Sequence, residues 1–204
     1  MWFLLFATLS TATAQVQLIN GTIKLEIGLT SRCNDAHNFI HTFSPIYEKY
    51  RQFLEVDFVP WGRTRRLANG LDCQFGVQDC WANRVHRCVL SRLNDQDSVM
   101  KYMVCEFTRP LPAFSGSYSC VQKMGLRIVD VDYCVSTTGD ALDREMEARA
   151  AEAMRVINFV PYLVINGVME RALSETARLG IVEVICSALA KDPSTGVMLE
   201  ECLK

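Results

Sequence analysis

The sequence predicts one α/β domain, rich in disulfides, with a helical insertion between its second and third strands. Three features lead to this prediction: a strand–helix–strand pattern near the N-terminus, a helical stretch from about residue 71 to 157, and a strand and helix after it. The chain has 204 residues, 50% of them hydrophobic, and a formal net charge of −2. This balance suits a folded domain and gives no electrostatic reason to bind nucleic acid or an anionic membrane.

The first unit is a strand, a helix and a second strand. From residue 23 to 29, apolar residues alternate with polar or small ones, as in a half-buried strand. A helix is predicted after Cys33, where apolar residues return at helical spacing until Pro45 interrupts them. The second strand is expected around residues 53–59 and ends at Pro60. Together these elements form a βαβ unit.

The helical insertion and the elements after it complete the fold. The last helix of the insertion, DALDREMEARAAEAMRVI, is strongly amphipathic and has Asp140 as its predicted N-cap. The segment VPYLVINGVME predicts a β-hairpin, because Asn166-Gly167 tolerates the positive φ angles of a type I′ turn. The remaining apolar stretch predicts a closing helix with Ser174 as its cap.

This order of elements is that of a thioredoxin-like fold with a helical subdomain inserted in its middle. Pro161 lies just before the third strand, where such a fold keeps a cis-proline facing its nucleophile. We therefore expect the Val160–Pro161 bond to be cis, although only about 5% of X-Pro bonds in folded proteins are.

The N-terminus and the cysteines indicate an oxidising compartment. Residues 1–14, MWFLLFATLSTATA, are typical of a signal peptide and are too short to span a bilayer. We expect a mature domain of residues 15–204 without a membrane span, secreted or held in the endosomal or lysosomal lumen. Asn20-Gly21-Thr22 is an N-glycosylation sequon, which predicts a sugar on Asn20. Because nine cysteines is an odd number, one thiol is left over.

Residues 73–88, CQFGVQDCWANRVHRC, resemble the signature C-Q-H-G-x-x-E-C-x-x-N-x-x-x-x-C of the gamma-interferon-inducible lysosomal thiol reductase family. The matching positions are Cys73, Gln74, Gly76, Cys80, Asn83 and Cys88. Phe75 stands where the family has His, and Asp79 where it has Glu. FVPWG at 58–62 and VPYLVING at 160–167 are also similar to family segments, so the resemblance covers nearly the whole mature chain. It implies the fold predicted above and the reduction of protein disulfides in acidic compartments.

The family's catalytic C-x-x-C pair corresponds to Cys33-Asn34-Asp35-Ala36, so only the first thiol carries over. A cysteine at the start of a helix is expected to have a lowered pKa, an effect that Asp35 opposes and a protonated His37 would assist. Cys33 is therefore the predicted catalytic residue, with Ala36, His37 and Pro161 around it. Release of a mixed disulfide would require an external thiol such as glutathione or cysteine, and we expect no other cofactor and no metal.

The remaining eight cysteines are expected to form four structural disulfides. Cys80 and Cys88 cannot pair, because eight residues of helix separate them by about 12 Å. Cys120 with Cys134, and Cys186 with Cys202, flank short turns, fall where the family has cysteines, and are each expected to pair. That leaves Cys73 with Cys80 or Cys88, and Cys105 with the other. Much of the signature is then scaffold, with Gln74, Gly76 and Asn83 capping helices or shaping a turn.

Three functions remain open on this reasoning. The first is thiol–disulfide exchange by a monothiol mechanism through Cys33. The second is a catalytically degenerate protein whose groove, lined by Cys33 and Pro161, binds a disulfide-containing or extended polypeptide without turnover. The third is a covalent dimer, or another covalent complex, through Cys33. The cluster of Arg63, Arg65 and Arg66 is interpreted as a solvated loop rather than an anion site.

Overall fold

The protein is described here by a computed structural model covering residues 16–204; the predicted signal peptide lies outside these residues. In chain order the elements are β1 (Ile23–Leu29), α1 (Asn34–Tyr50), β2 (Leu54–Pro60), β3 (Arg65–Leu67), β4 (Gly70–Asp72), α2 (Val77–Leu90), α3 (Gln96–Glu106), α4 (Ser119–Lys123), α5 (Ile128–Tyr133), α6 (Gly139–Val156), β5 (Tyr162–Ile165), α7 (Arg171–Leu179), α8 (Ile181–Lys191) and α9 (Leu199–Cys202). Helices α2 to α6 thus lie between the β3–β4 hairpin, which the sequence did not indicate, and β5.

The central sheet has the order β2-β1-β5. β1 pairs with β2 in parallel, from Ile23 opposite Leu54 to Leu29 opposite Pro60, which confirms the βαβ unit. β5 runs antiparallel to β1. Gly28 is needed at this pairing, because a Cβ atom there would lie 1.9 Å from the Tyr162 ring. A parallel β1–β2 pair joined by a helix, with an antiparallel strand after the helical insertion, is the predicted thioredoxin-like arrangement.

Helix α1 continues through Pro45, so the predicted interruption is wrong. A proline inside a helix removes one backbone hydrogen bond and costs about 3 kcal/mol. The buried face of α1 extends on both sides of it, with Phe39 and Phe43 before the proline and Ile46 and Tyr47 after it. Burial of such side chains contributes about 1.5–3 kcal/mol each, which outweighs the cost of the proline.

The segment after β5 forms the predicted turn but not the predicted hairpin. Asn166 and Gly167 have φ angles of 52° and 78°, yet only a single bridge, Ile165 to Val168, follows the turn. The edge of β5 is instead covered by α7, where the Ser174 hydroxyl accepts a hydrogen bond from the Leu163 N–H at 2.8 Å. Ser174 therefore lies inside α7 rather than capping a helix, and the predicted closing helix is split at Gly180 into α7 and α8.

The last helix of the insertion, α6, begins at Gly139 with Thr138 at its N-cap position, so Asp140 is not the N-cap. A π-helical turn at Cys134–Thr138 runs directly into α6, and the helical backbone needs no capping side chain there. The Asp140 carboxylate instead accepts hydrogen bonds from Arg66 and Arg144, both at 2.8 Å. It thereby joins the β3–β4 hairpin to α6.

Eight of the nine cysteines form four disulfides, and Cys33 is free. The pairs are Cys73–Cys80, Cys88–Cys134, Cys105–Cys120 and Cys186–Cys202. The Cys186–Cys202 bridge confirms the prediction, and Cys73–Cys80 is one of the two pairings left open. The predicted Cys120–Cys134 bridge is wrong, as is any pairing of Cys105 with Cys88. The two cysteines that flank Gly125 lie against different helices, because α4 packs on α3 whereas α5 and the π-helical turn pack on α2.

Loss of the Cys88–Cys134 disulfide should destabilise the fold more than loss of Cys73–Cys80. The two bridges close loops of 46 and 7 residues, and the loop-entropy relation gives about 4 and about 2 kcal/mol respectively. Urea unfolding of the paired variants Cys88→Ala/Cys134→Ala and Cys73→Ala/Cys80→Ala measures this difference. Equal stabilities would contradict the prediction.

No helix within residues 16–204 is long and apolar enough to cross a lipid bilayer.

Candidate active site

Cys33 lies at the junction between the sheet and the first helix. It follows the short loop after β1 and occupies the N-cap position of α1. Its side chain is 8% exposed, and its sulfur donates a hydrogen bond to the Val160 carbonyl oxygen at 3.7 Å. The Val160–Pro161 peptide bond is cis, as the element order predicts. The structure therefore brings the predicted nucleophile against the loop that carries the predicted cis-proline.

The environment of the sulfur favours the neutral thiol. Burial raises the pKa of Cys33; the backbone N–H groups of Ala36 and Asp35 lower it to a smaller extent, and the carboxylates of Asp35 and Asp79 raise it further. The hydrogen bond to the Val160 carbonyl also requires the thiol proton. The direction is opposite to the lowered pKa expected from the helix start, because burial and two carboxylates outweigh the N–H groups of α1.

We expect the alkylation rate of Cys33 to reach half its maximum at a higher pH than that of an ordinary exposed cysteine, because burial raises its pKa. The measurement is iodoacetamide labelling against pH, read by mass spectrometry under non-reducing conditions. The Cys33→Ser variant is the control and should take up no label, since the other eight cysteines are in disulfides. A half-maximal rate below pH about 8 would contradict the pKa direction.

Ala36 occupies the place of the second thiol and is fully buried. Its N–H group is one of the two that approach the Cys33 sulfur. With every other cysteine in a disulfide, the part of the chain that the structure describes contains no thiol that could resolve a mixed disulfide on Cys33.

His37 lies one turn along α1, and its contacts are with neighbouring polar groups. Its ring centroid is 4.6 Å from that of His41, and its Nδ1 atom is 3.3 Å from the Asn38 side-chain oxygen. His41 in turn contacts the Phe107 carbonyl oxygen at 3.2 Å. Among residues 16–204, no group of three or more His, Cys, Asp or Glu side chains is placed to hold a metal ion.

Two signature residues on α2 hold the loop that leads to Cys33. The Asp79 carboxylate accepts hydrogen bonds from the Thr30 hydroxyl at 2.7 and 2.8 Å and from the Arg32 N–H at 3.3 Å. The Asn83 side-chain oxygen accepts from the Ser31 N–H at 2.9 Å and from its hydroxyl at 2.6 Å, while its amide donates to Thr30 at 2.8 Å. We call these two residues the α2 clamp. Four residues apart, they share one face of the helix and fix three successive residues before the cysteine.

The clamp belongs to a buried polar network. The side chains of Thr30, Asp79 and Asn83 are fully buried, and Ser31 is 3% exposed. Burial raises the pKa of Asp79, whereas its hydrogen bonds, the one from Thr30 first, lower it. The sequence did not indicate Thr30 or Ser31. The one sequence feature that could have indicated them is the pair of hydroxyl residues directly after the first strand.

The other signature residues lie at the start of α2. Gly76 is the N-cap residue and has a φ angle of 82°, a conformation that glycine adopts without strain. Phe75 is 39% exposed, and its N–H donates to the Asp79 carboxylate at 3.4 Å. Gln74 is exposed and lines an open cleft of about 760 Å³ with Trp61, Arg63 and Asn158.

Two of the three arginines that were predicted to lie in a solvated loop form ion pairs. Arg65 contacts Asp72 at 2.5 Å, and Arg66 contacts Asp140 and Glu147 at 2.8 and 2.7 Å. Arg63 instead donates to the Asn158 carbonyl oxygen. Asn158 lies in the loop between α6 and β5 that contains the cis-proline Pro161, which we call the cis-proline loop. Arg109 and Arg178, which the sequence did not single out, contact Asn34 and Asp35 next to Cys33.

A single cysteine at the start of the first helix of a thioredoxin-like fold, facing a cis-proline, places the protein in the class of thioredoxin-like thiol proteins. Residues 24–124 match the family described as Gamma interferon inducible lysosomal thiol reductase (GILT), and the chain belongs to this family. It does so as a divergent member that lacks the second cysteine of the C-x-x-C pair.

Two relatives agree with this assignment. The chain is 21% identical over 190 residues to GILT-like protein 1 of Drosophila melanogaster, a match that covers 80% of this chain and 74% of that protein. It is 24% identical over 196 residues to GILT-like protein C02D5.2 of Caenorhabditis elegans, with 86% of this chain and 55% of that protein covered. The chain thus spans little more than half the length of the nematode relative.

Solved structures support the fold. The oxidoreductase DsbA from Xylella fastidiosa is similar with a TM-score of 0.51 and 12% identity, over 81% of this chain and 89% of that one. A putative protein disulfide isomerase from Nitrosomonas europaea is similar with a TM-score of 0.52 and 12% identity, over 78% of this chain and 97% of that one. At this identity the likeness concerns the thioredoxin-like fold alone.

Proposed function

We propose that this protein carries out thiol–disulfide exchange on polypeptides by a monothiol mechanism through Cys33. The observation that carries the proposal is the position of the free sulfur at the start of α1, against the Val160 carbonyl and with two helix N–H groups directed at it. Those N–H groups stabilise the thiolate when it forms, since they are partial positive charges at the attacking atom. Membership of a thiol reductase family supports the same chemistry.

The exchange has three steps. The Cys33 thiolate attacks one sulfur of a substrate disulfide, forms a mixed disulfide, and releases the other substrate sulfur as a thiolate that takes up a proton. A thiolate from a small external donor, such as glutathione or cysteine, then attacks the mixed disulfide at the Cys33 sulfur and frees the second substrate thiol. A second donor thiol restores Cys33, so that two donor thiols are oxidised to one disulfide for each substrate disulfide reduced.

The missing second thiol makes release the slow step. Within a C-x-x-C pair, the resolving thiol acts at an effective concentration that reaches about 10⁵ M or more for well-oriented groups. An external donor acts only at its actual concentration. The raised pKa of Cys33 slows attack as well, because less thiolate is present at a given pH. Below that pKa, we expect the rate to increase about tenfold for each unit by which the pH is raised.

The test is the rate of reduction of a disulfide-bonded peptide against glutathione concentration, with Cys33→Ser as the control. We expect a rate that increases with glutathione over the millimolar range and is lost in the variant. A rate that equals the uncatalysed reaction at every glutathione concentration would overturn the proposal.

The alternative function is binding of a polypeptide without turnover. The low exposure and raised pKa of Cys33 favour it, because a buried neutral thiol is a poor nucleophile. Under this alternative, Cys33→Ser keeps its affinity for the peptide while the native protein shows no exchange. Burial of the sulfur disfavours a covalent dimer through Cys33, because two such sulfurs would have to meet across an interface.

We further propose that the protein works in an oxidising compartment of the secretory or endolysosomal route. Four disulfides and the predicted signal peptide support this assignment. Asn20, the predicted glycosylation site, is exposed in a turn with a φ angle of 53°. Glycosidase treatment of protein secreted from eukaryotic cells should lower its mass, and Asn20→Gln should abolish that shift. An unchanged mass after glycosidase treatment would contradict glycosylation of Asn20.

A further inference from the structure

Five arginines lie near the site. Each of them lies in or contacts at least one of the two segments that meet at the sulfur, which are the start of α1 and the loop before β5. We call Arg32, Arg63, Arg109, Arg171 and Arg178 the arginine rim. Arg32 directly precedes Cys33, and Arg109 donates to the Asn34 side chain at 2.9 Å. Arg178 contacts the Asp35 carboxylate at 3.4 Å.

The other side of the rim is built on the cis-proline loop. Arg63 donates to the Asn158 carbonyl oxygen and Arg171 to the Ile157 carbonyl oxygen, each at 2.6 Å. The guanidinium groups of Arg171 and Arg178 lie 5.5 and 5.2 Å from the centroid of the Phe159 ring, which is partly exposed. Arg32 similarly lies 5.3 Å from the Phe114 ring. Arginines of the rim therefore lie against two aromatic rings, Phe114 and Phe159.

Most arginines of the rim lack a carboxylate partner. Among residues 16–204, the arginines without a carboxylate within 4 Å are Arg32, Arg63, Arg92, Arg109 and Arg171. Four of these five belong to the rim, although the chain as a whole carries a net charge of −2. The exposed carboxylate that contacts the rim within the described chain is Asp35, through Arg178. Four arginines without a carboxylate partner thus lie in or contact the two segments that meet at the sulfur.

We propose that the arginine rim binds an acidic segment of a polypeptide partner, next to the disulfide that Cys33 attacks. This inference rests on the proposed function, whose partner it specifies. Guanidinium groups form paired, charge-assisted hydrogen bonds with carboxylates, and the partner's negative charge would relieve the repulsion between neighbouring arginines. Phe114 and Phe159 supply apolar contacts for the side chains between the acidic residues. Opposite charges also accelerate encounter, because the field around the site attracts the partner toward it.

The test uses three peptides that share one disulfide and differ only in flanking residues, which are Glu, Gln or Lys. Binding is measured on Cys33→Ser, so that affinity is separated from thiol chemistry. We expect the Glu peptide to bind about tenfold more tightly than the Gln peptide, and the Lys peptide less tightly still. The difference should shrink toward zero at about 1 M salt, where the screening length falls to about 3 Å.

Charge-reversal variants test whether the arginine rim causes the preference for the Glu peptide. Arg63→Glu/Arg171→Glu in the Cys33→Ser background should abolish or invert the preference for the Glu peptide. Arg127→Glu is the matched control, because Arg127 is exposed at the N-cap position of α5 and forms an ion pair with Asp130; it should leave the preference unchanged. Equal affinities for the three peptides, or an equal loss in both variants, would overturn the inference. A preference for the Glu peptide without any exchange by the native protein would support the rim and overturn the monothiol chemistry alone.

Discussion

Replacing Ala36 with cysteine is expected to raise disulfide-reductase turnover by about 100-fold or more at millimolar external thiol, because the resolving step becomes intramolecular. The position is suited to the test, since the Ala36 N–H already approaches the Cys33 sulfur. A thiol placed there would lie in the first turn of α1, three residues from Cys33, as the second thiol of a C-x-x-C pair does. Turnover is measured on a fluorogenic disulfide peptide with glutathione as donor.

The matched control is Ala36→Ser, which introduces a side chain of similar shape that cannot resolve a disulfide. It should show the turnover of the native protein or less. If Ala36→Cys gives no gain while Cys33 still reacts with iodoacetamide, the site lacks more than the second sulfur, and exchange through Cys33 is the wrong account of it.

The second large effect is expected from the α2 clamp. Asp79→Ala should destabilise the fold by about 3 kcal/mol or more, because each buried donor left without an acceptor costs about 1–3 kcal/mol. The donors that lose their acceptor are the Thr30 hydroxyl and the N–H groups of Arg32 and Phe75. The measurement is urea unfolding. Asp72→Ala is the control, since Asp72 forms an exposed ion pair with Arg65 and should change stability by less than about 1 kcal/mol.

The same variant should also alter Cys33. Removal of the Asp79 carboxylate removes one of the charges that raise the pKa of the thiol, and it loosens the loop of residues 30–32. We therefore expect Asp79→Ala to be alkylated faster than the native protein at neutral pH, with the half-maximal pH moved downward. A folded Asp79→Ala with an unchanged labelling profile would show that the clamp does not act on the cysteine.

The parts of the fold that the sequence predicted are those set by local pattern and element order. The alternation of residues 23–29, the βαβ unit and the place of Pro161 all follow from periodicity and from neighbouring elements along the chain. The Asn166-Gly167 turn was also predicted correctly. Its missing second strand was not, because the edge of β5 is satisfied by Ser174 on a helix, a contact that turn chemistry does not determine.

The features that the sequence did not predict depend on distant contacts. Cys120 and Cys134 flank one turn, which predicts that they pair, yet α3 and α2 bring Cys105 and Cys88 to them. The pKa direction of Cys33 was predicted wrongly for a similar reason. The position of Cys33 at the start of a helix can be read from the local sequence. The burial of its sulfur and the approach of the Asp79 carboxylate depend on elements far along the chain. The arginine rim likewise joins residues from four segments that only the fold brings together.

The most direct test of the central claim is mass-spectrometric capture of the mixed disulfide. The native protein is incubated above neutral pH with a disulfide-bonded peptide and no external thiol, then digested under non-reducing conditions. We predict a peptide adduct on Cys33 alone, stable until glutathione is added and then released with recovery of the free thiol. No adduct on Cys33, or adducts formed instead at the disulfide-bonded cysteines, would contradict thiol–disulfide exchange through Cys33.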